Sequence, residues 1–270
     1  MGDFLDKLAA AAWKNVREGY YHHVEAHKPY GRRSLRNAIV SLNGKRAPII
    51  SEIKFVSPSF GLLRSPGNVA SIAKCMIEAG AIGLSILTEP TYFSGSLENL
   101  LNARVVVEAP ILMKDIVVSI EQIEVAWRAG ADAVLLIVAL FERGYCETGL
   151  DEMIKRLHDY GLEVLLETHT AEEFKVALST DADIIGINNR DLKTLKVDLN
   201  VTKRILERFD RSETNGRPIV SESGIRSPED IRFLRKCGAD AFLVGSSIIT
   251  AEDISKFISR LVNAYGGSEG

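Results

Sequence analysis

The sequence predicts an α/β fold: a single (β/α)8 barrel of the TIM type, preceded by a helical extension. Three observations predict it. First, eight strand-length apolar runs alternate with longer amphipathic stretches, at 48–54, 82–88, 111–114, 133–138, 163–167, 184–188, 218–222 and 240–245. That alternation marks a parallel sheet covered by helices, and eight strands close such a sheet into a barrel. An open doubly wound sheet is the alternative that eight strands in series disfavour. Second, a short echo precedes several strands: Glu78-Ala79-Gly80-Ala81, Arg128-Ala129-Gly130-Ala131-Asp132, Lys236-Cys237-Gly238-Ala239-Asp240 and, more loosely, Tyr160-Gly161-Leu162. In each, the glycine suits the left-handed conformation that ends a helix. Third, six of the runs stop abruptly in a polar or charged residue, as in Ile49-Ile50-Ser51-Glu52-Ile53-Lys54 and Ile111-Leu112-Met113-Lys114. Charges at the carboxyl ends of buried parallel strands are costly unless they converge on a site.

Along the chain, residues 1–46 precede the first strand and read as helical. Phe4, Leu5, Leu8, Ala12 and Val16 fall on one helical face, and Leu35, Ala38, Ile39 and Leu42 on a second. Both are too short to bury a core alone. They are expected to pack over one end of the barrel, so that 1–270 forms a single domain with the barrel at 47–265. The length fits, since such barrels commonly run to about 250 residues.

Composition narrows the function. A net charge of −3 and a pI near 6.0 argue against a general nucleic-acid or membrane-surface binder, while leaving room for a local anion pocket. Cys75, Cys146 and Cys237 are far apart and lack metal-ligand spacing, so they read as reduced thiols. Met1-Gly2-Asp3-Phe4-Leu5 shows no signal-peptide core, and no apolar run reaches membrane-spanning length. The expected location is the cytoplasm.

The strand ends define the candidate site. Glu52 and Lys54 lie two apart on the first strand and therefore share a face, the barrel interior. An ion pair sealing the barrel is an equally good reading of that pair alone. Lys114 ends the third strand, Glu167 the fifth, Asn188 and Arg190 the sixth, and Glu222 the seventh. Each alone reads as well as a solvated terminus, but their common position at five strand ends points to convergence. Burial can bring lysine and glutamate pKa values towards neutrality, which suits acid–base chemistry; Schiff-base formation by Lys54 or Lys114 stays open. Ser223-Gly224 and Gly245-Ser246-Ser247 follow strands seven and eight, where barrels hold phosphate on backbone amides and a short extra helix. The loop Ser57-Pro58-Ser59-Phe60-Gly61 adds donors and is placed to close as a lid.

His22, His23 and His27 read as a solvated polar stretch rather than a metal cluster, and His169 as a turn or cap near the pocket rim. There is no P-loop, no G-x-G-x-x-G and no G-x-S-x-G, so neither a nucleotide cofactor nor a serine nucleophile is indicated.

Taken together, Ser51-Glu52-Ile53-Lys54, Ser57-Pro58-Ser59, Leu87-Thr88-Glu89-Pro90-Thr91-Tyr92-Phe93-Ser94-Gly95-Ser96 and Leu112-Met113-Lys114-Asp115 resemble the indole-3-glycerol phosphate synthase family. So do Leu166-Glu167, Ile187-Asn188-Asn189-Arg190-Asp191-Leu192, Ser221-Glu222-Ser223-Gly224-Ile225 and Leu243-Val244-Gly245-Ser246-Ser247. The resemblance covers nearly the whole chain, extension included. It implies a cofactor-free and metal-free carboxy-lyase of tryptophan biosynthesis acting on a small phosphorylated substrate, 1-(2-carboxyphenylamino)-1-deoxyribulose 5-phosphate. Under it, Lys114 is the general acid, Glu167 the base and Lys54 the partner of the substrate carboxylate. Glu52 positions Lys54 or shares in dehydration. Asn188, Arg190 and Glu222 orient the substrate, and Ser57, Ser223, Gly224, Gly245, Ser246 and Ser247 hold its phosphate. Where the family commonly has phenylalanine after Lys114-Asp115, this chain has Ile116, which forfeits ring stacking worth about 1 kcal/mol. Phe60, Phe93 or Leu135 are the candidates for substitute contacts. A related phosphoribosyl isomerase, or a barrel that binds phosphate ligands without catalysis, are the rival readings, and a monomer or weak homo-oligomer is expected.

Overall fold

Eight apolar runs become eight strands, most of them flanked by a helix-ending glycine or a side-chain-capped helix start. A computed structural model describes residues 2–22, 24, 31–42, 44–65 and 67–266. The strands are β1 (Ile49–Ile53), β2 (Gly83–Leu87), β3 (Ile111–Lys114), β4 (Ala133–Ile137), β5 (Glu163–Thr168), β6 (Ile184–Asn188), β7 (Ile219–Glu222) and β8 (Ala241–Val244). They pair in parallel, each with its neighbours in sequence, and β1 pairs with both β2 and β8, which closes the barrel. Gly80, Gly130, Gly161 and Gly238 all take positive φ, so the repeated echo is a repeated helix stop. The following helix starts carry their own signals. The side chains of Asn68, Ser96, Thr170, Ser227 and Asp253 each accept a backbone N–H of the first turn of the helix they precede.

The strands are buried on both faces, as a closed parallel sheet under a ring of helices requires. Their registers keep the carboxyl ends level: Leu87 stands opposite Lys114, Ile137 opposite Glu167 and Asn188 opposite Glu222. That levelling turns six separate stops into one floor.

The extension departs from the expectation of one covered end, because its two helices sit at opposite ends of the barrel. Helix α1 (Phe4–Arg17) lies by the carboxyl ends. There Trp13 donates its indole N–H to the Tyr145 carbonyl (2.7 Å), and Arg143 pairs with Asp3 and Asp6. Tyr20 donates to the Thr88 carbonyl (2.9 Å), just past the end of β2. Helix α2 (Leu35–Ser41) closes the amino-terminal end. The Arg33 amide donates to Asp132 and the Arg36 amide to Glu163, and Leu35 sits against the start of β2 at Gly83. A second difference is a small antiparallel hairpin, Val56–Ser57 with Gly61–Leu62, in the loop after β1. No helix among the described residues is long and apolar enough to cross a membrane.

Candidate active site

A cavity of about 630 Å³ opens at the carboxyl ends of the strands. All of the strand-end candidates line it: Glu52, Lys54, Ser57, Lys114, Ile116, Glu167, Asn188, Arg190, Glu222, Ser223, Gly224, Gly245, Ser246 and Ser247.

On β1 the pleat aims Glu52 inwards, and Lys54 just past the strand follows it, so the Lys54 ammonium pairs with Glu52 Oε1. Glu52 is only 2% exposed. Its neighbour across the barrel seam is Gly245, where a Cβ would collide with that same Glu52 oxygen. Space for the carboxylate therefore calls for glycine at that position.

The centre of the floor is Lys114 of β3. Its Nζ donates to Glu222 Oε2 (2.7 Å) and to Glu167 Oε2 (3.2 Å). Burial opposes a charged lysine, but the carboxylates of Glu222, Glu167 and Glu52 outweigh it and raise its pKa, so Lys114 is an ammonium. Burial likewise opposes a charged Glu167. Lys114, His169 and Asn188 overcome that and hold its carboxyl well below the usual range. For Glu222 burial wins, with Glu167 adding like-charge repulsion, and its carboxyl is pushed up to about 7. Two carboxylates sharing one lysine thus end with different affinities for a proton, the asymmetry that acid–base work uses. Glu222 Oε1 is buried without a hydrogen-bond partner among the described residues, and only the glycine at 186 leaves room for it.

Asn188 ends β6 facing the cavity, its Oδ1 accepting the Arg190 amide (3.0 Å). Asn189 turns the other way and ties the loops: its amide donates to Ser221 Oγ and to the carbonyls of Glu222 and Ser223, while its oxygen accepts from Thr202. Arg190 donates to Ser59 Oγ (2.6 Å) and the Leu195 carbonyl (3.1 Å), joining the β6 loop to the β1 hairpin. Ser57, in the first strand of that hairpin, is buried, and its Oγ accepts the Ser59 amide at 3.4 Å.

At the far side, Ser223 and Gly224 both take positive φ (66° and 89°), which turns the chain sharply after β7. Beyond β8 a short helix, Ser246–Ile249, begins at the cavity. Amides of a helix's first turn have no intrahelical acceptor. The Ser247 hydroxyl donates to the Ile225 carbonyl (2.6 Å), pinning the two loops together. The remaining wall is apolar. Ile116 is 5% exposed and shares the lining with Leu135 and Phe93, while Phe60, 59% exposed, stands at the mouth.

Several lining residues escape a strand-end reading. Phe4 and Leu8 arrive from α1, and nothing in their local pattern distinguishes a cavity wall from a core face. Glu89 is 1% exposed and accepts the amides of Thr91, Tyr92 and Phe93, fixing Phe93 on the wall. Its signal was the Glu-Pro step, an N-cap followed by proline in the first turn. Asp115 is buried under the site, accepting from Thr88 Oγ1 (2.5 Å), Tyr21 Oη (3.2 Å) and the Ile116 amide (2.7 Å). Exposed Arg226 adds a cation beside Gly224. His169 is not on the cavity surface but behind it, between Glu167 and Glu173. Among the three amino-terminal histidines, His22 is exposed beside Glu121, while His23 and His27 lie outside the described residues. No group of three or more His, Cys, Asp or Glu among the described residues is arranged to hold a metal ion.

A model of the indole-3-glycerol phosphate synthase family matches residues 5–261. The chain is 43% identical over 230 residues to the indole-3-glycerol phosphate synthase of Methanocaldococcus jannaschii, covering 84% of this chain and 82% of that one. It is 35% identical to the Bacillus mycoides enzyme of the same name, covering 95% and 97%. Among solved structures, thiamine phosphate pyrophosphorylase from Pyrococcus furiosus superposes with a TM-score of 0.60 at 19% identity, over 86% of this chain and 98% of that one. That likeness is one of fold. With a match running from α1 to the last helix, and relatives well above 30% identity, this chain belongs to the indole-3-glycerol phosphate synthase family.

Proposed function

We propose that this chain closes the indole ring of 1-(2-carboxyphenylamino)-1-deoxyribulose 5-phosphate, giving indole-3-glycerol phosphate, carbon dioxide and water, a late step of tryptophan biosynthesis. The observation that carries the reading is the pair of lysines, each bound by its own carboxylates, facing one cavity that has an apolar wall on one side and amide-rich turns on the other.

The substrate's parts match these regions. Its phosphate goes to the turns after β7 and β8, held by Ser223, Gly224, Gly245, Ser246 and Ser247 with Ser57 opposite. Because the Ser247 hydroxyl already donates to Ile225, backbone amides carry the donation there. The aromatic ring packs on Ile116, Leu135 and Phe93, and its carboxylate meets Lys54, which Glu52 holds in place. Arg190 and Asn188 orient the sugar chain.

In the first step the ring carbon bearing the carboxylate forms a bond to the ketone carbon, and the ketone π pair moves onto oxygen. Lys114, kept cationic by three carboxylates, donates its proton to that oxygen. Loss of carbon dioxide returns the bonding pair to the ring and restores aromaticity. The new hydroxyl then leaves as water, protonated by Lys54 and driven by the nitrogen lone pair. Glu167, held as a carboxylate, removes the proton from the former methylene carbon and completes the indole. Glu222 shares Lys114 with Glu167 and takes up charge changes between steps.

In this reading the chain works as one domain, as a monomer or weak homo-oligomer in the cytoplasm, with neither nucleic acid nor membrane as partner. The core running unbroken from α1 through the barrel, and the net charge of −3, support it. The purified protein is expected to turn the carboxyphenylamino substrate into a fluorescent indole product in the presence of a chelator. Folded protein that gives no fluorescence defeats the proposal.

A further inference from the structure

We propose that His169 is a positioning residue that keeps Glu167 a carboxylate through the whole reaction, and that Glu173 in turn holds His169 for this task. The inference rests on the reading of Glu167 as the base.

The arrangement is a chain of three groups leading away from the cavity, the half-buried His169 between the buried Glu167 and Glu173. Glu167 ends with two separate cations on its two oxygens: Lys114 Nζ at 3.2 Å from Oε2, and His169 Nε2 at 3.3 Å from Oε1. On the other side of the imidazole, Nδ1 lies 3.3 Å from Glu173 Oε2. That same Glu173 oxygen accepts the backbone amide of His169 at 2.8 Å, so it fixes both the main chain and the ring. Glu173 itself sits in the first turn of the helix Ala171–Leu178, where the Thr170 side chain caps its amide (3.1 Å).

Both ring nitrogens therefore face carboxylates. A neutral imidazole has one N–H and would leave one of the two carboxylates facing an uncharged ring, whereas the imidazolium sets positive charge beside both. Nε2 is close to Glu167 yet off the line of a hydrogen bond, so its main effect there is that of charge. Burial disfavours a charged ring, but Glu167 and Glu173 overcome it and raise the pKa to about 9. The other groups around this chain are accounted for. Lys114 and Glu222 face Glu167 from β3 and β7, neutral Asn188 faces it from β6, and Glu142 approaches Glu173 from the segment after β4.

The reaction explains why one cation is insufficient. Lys114 lies nearer to Glu222 than to Glu167, and it surrenders its charge when it protonates the ketone oxygen. In the interval before the last step, a lone buried Glu167 would pick up a proton and lose its use as a base. His169 has no contact with the cavity and transfers nothing, so its charge persists through that interval. A cap alone would require only the backbone bond to Glu173.

The test joins a pH profile to a direct titration. Glu167 works as a base only when unprotonated, so loss of a neighbouring cation raises its pKa and moves the acid limb of kcat to higher pH. His169→Gln is expected to move that limb up by one pH unit or more, with kcat approaching the unsubstituted value on the alkaline side and KM changed by less than threefold. Glu173→Gln should shift it less, in the same direction. An acid limb that stays in place in a folded His169→Gln protein overturns the proposal. On the unsubstituted protein, nitrogen-15 NMR should show the His169 ring doubly protonated at pH 7.5; a neutral ring overturns the proposal without any variant. Glu167→Gln separates the two readings. If it keeps full turnover, Glu167 is not the base, whereas slow turnover in Glu167→Gln with an unmoved limb in His169→Gln refutes the positioning role alone.

Discussion

Lys114 shows how much a single side chain depends on its company. In a dry site an unpaired ammonium would shed its proton, yet here three carboxylates keep it charged, and two of them bind it directly. Removing it does two things at once. The general acid is lost, and Glu167 and Glu222 are left as buried neighbours with one cation fewer, so at least one of them takes up a proton. Lys114→Met should therefore lower kcat by about 10²–10⁴-fold, the usual worth of a positioned acid. Binding of an inorganic or organic phosphate, measured by calorimetry, should persist because the amide-rich turns are untouched. Full turnover in that variant would remove Lys114 from the acid role. Ile116 marks the opposite case. It stands buried on the apolar wall, beside Leu135 and Phe93 and below the exposed Phe60 at the mouth.

Elements matter where two of them must approach closely. The end of β8 meets the end of β1, and at that seam Glu52 occupies the volume a side chain at 245 would need. Gly245→Ala should force Glu52 away from Lys54, because the added Cβ occupies the place of its carboxylate. Misplacement on the order of 1 Å can cost about 10²-fold in rate. We expect a drop of that size in kcat/KM with little change in circular dichroism; unchanged kinetics would show that Glu52 has room to move. The extension behaves as two separate devices. Helix α1 supplies Phe4 and Leu8 to the cavity wall, while the Tyr21 hydroxyl bonds to Asp115, next in sequence to Lys114. Helix α2 serves the other end, closing the amino-terminal mouth of the barrel through Leu35 and the bonds to Asp132 and Glu163.

Across the whole molecule, stability and chemistry are divided between the two ends of the barrel. At the amino-terminal end Arg104, 2% exposed, donates to Asp132 (2.7 Å) and to the carbonyl of Ala109 (2.8 Å). Asp132 also accepts the amides that start β3 and precede α2, at Ile111 and Arg33. Taking away one partner of a buried ion pair leaves an uncompensated charge and costs about 3–5 kcal/mol. Arg104→Ala should lose that much in urea unfolding, while kcat/KM per folded molecule stays within about twofold, since the site lies at the opposite end. A large kinetic effect in the folded fraction would contradict the division.

Much of this was legible along the chain. Strand ends such as Leu112-Met113-Lys114 and Val164-Leu165-Leu166-Glu167 carry their message locally, because a continuous apolar run that stops on a charge implies a strand buried on both faces that meets a site. The Gly80, Gly130 and Gly238 echo was likewise readable, since the helix stop needs only one permissive residue. The same local rules failed for Phe4 and Leu8, whose helical face looks like any core stripe; for His169 they indicated the turn before a helix, where its amide donates to Glu173, but not the carboxylates on both sides of its ring. Nor did they indicate that one ammonium would be held by carboxylates 53 and 108 residues away. Residue types and their place on each strand follow from short-range sterics and burial, which the chain expresses within a few residues. Which charges meet, and which of Glu167 and Glu222 stays ionised, follows from barrel closure and from the desolvation that closure imposes, and neither exists until distant strands have come together.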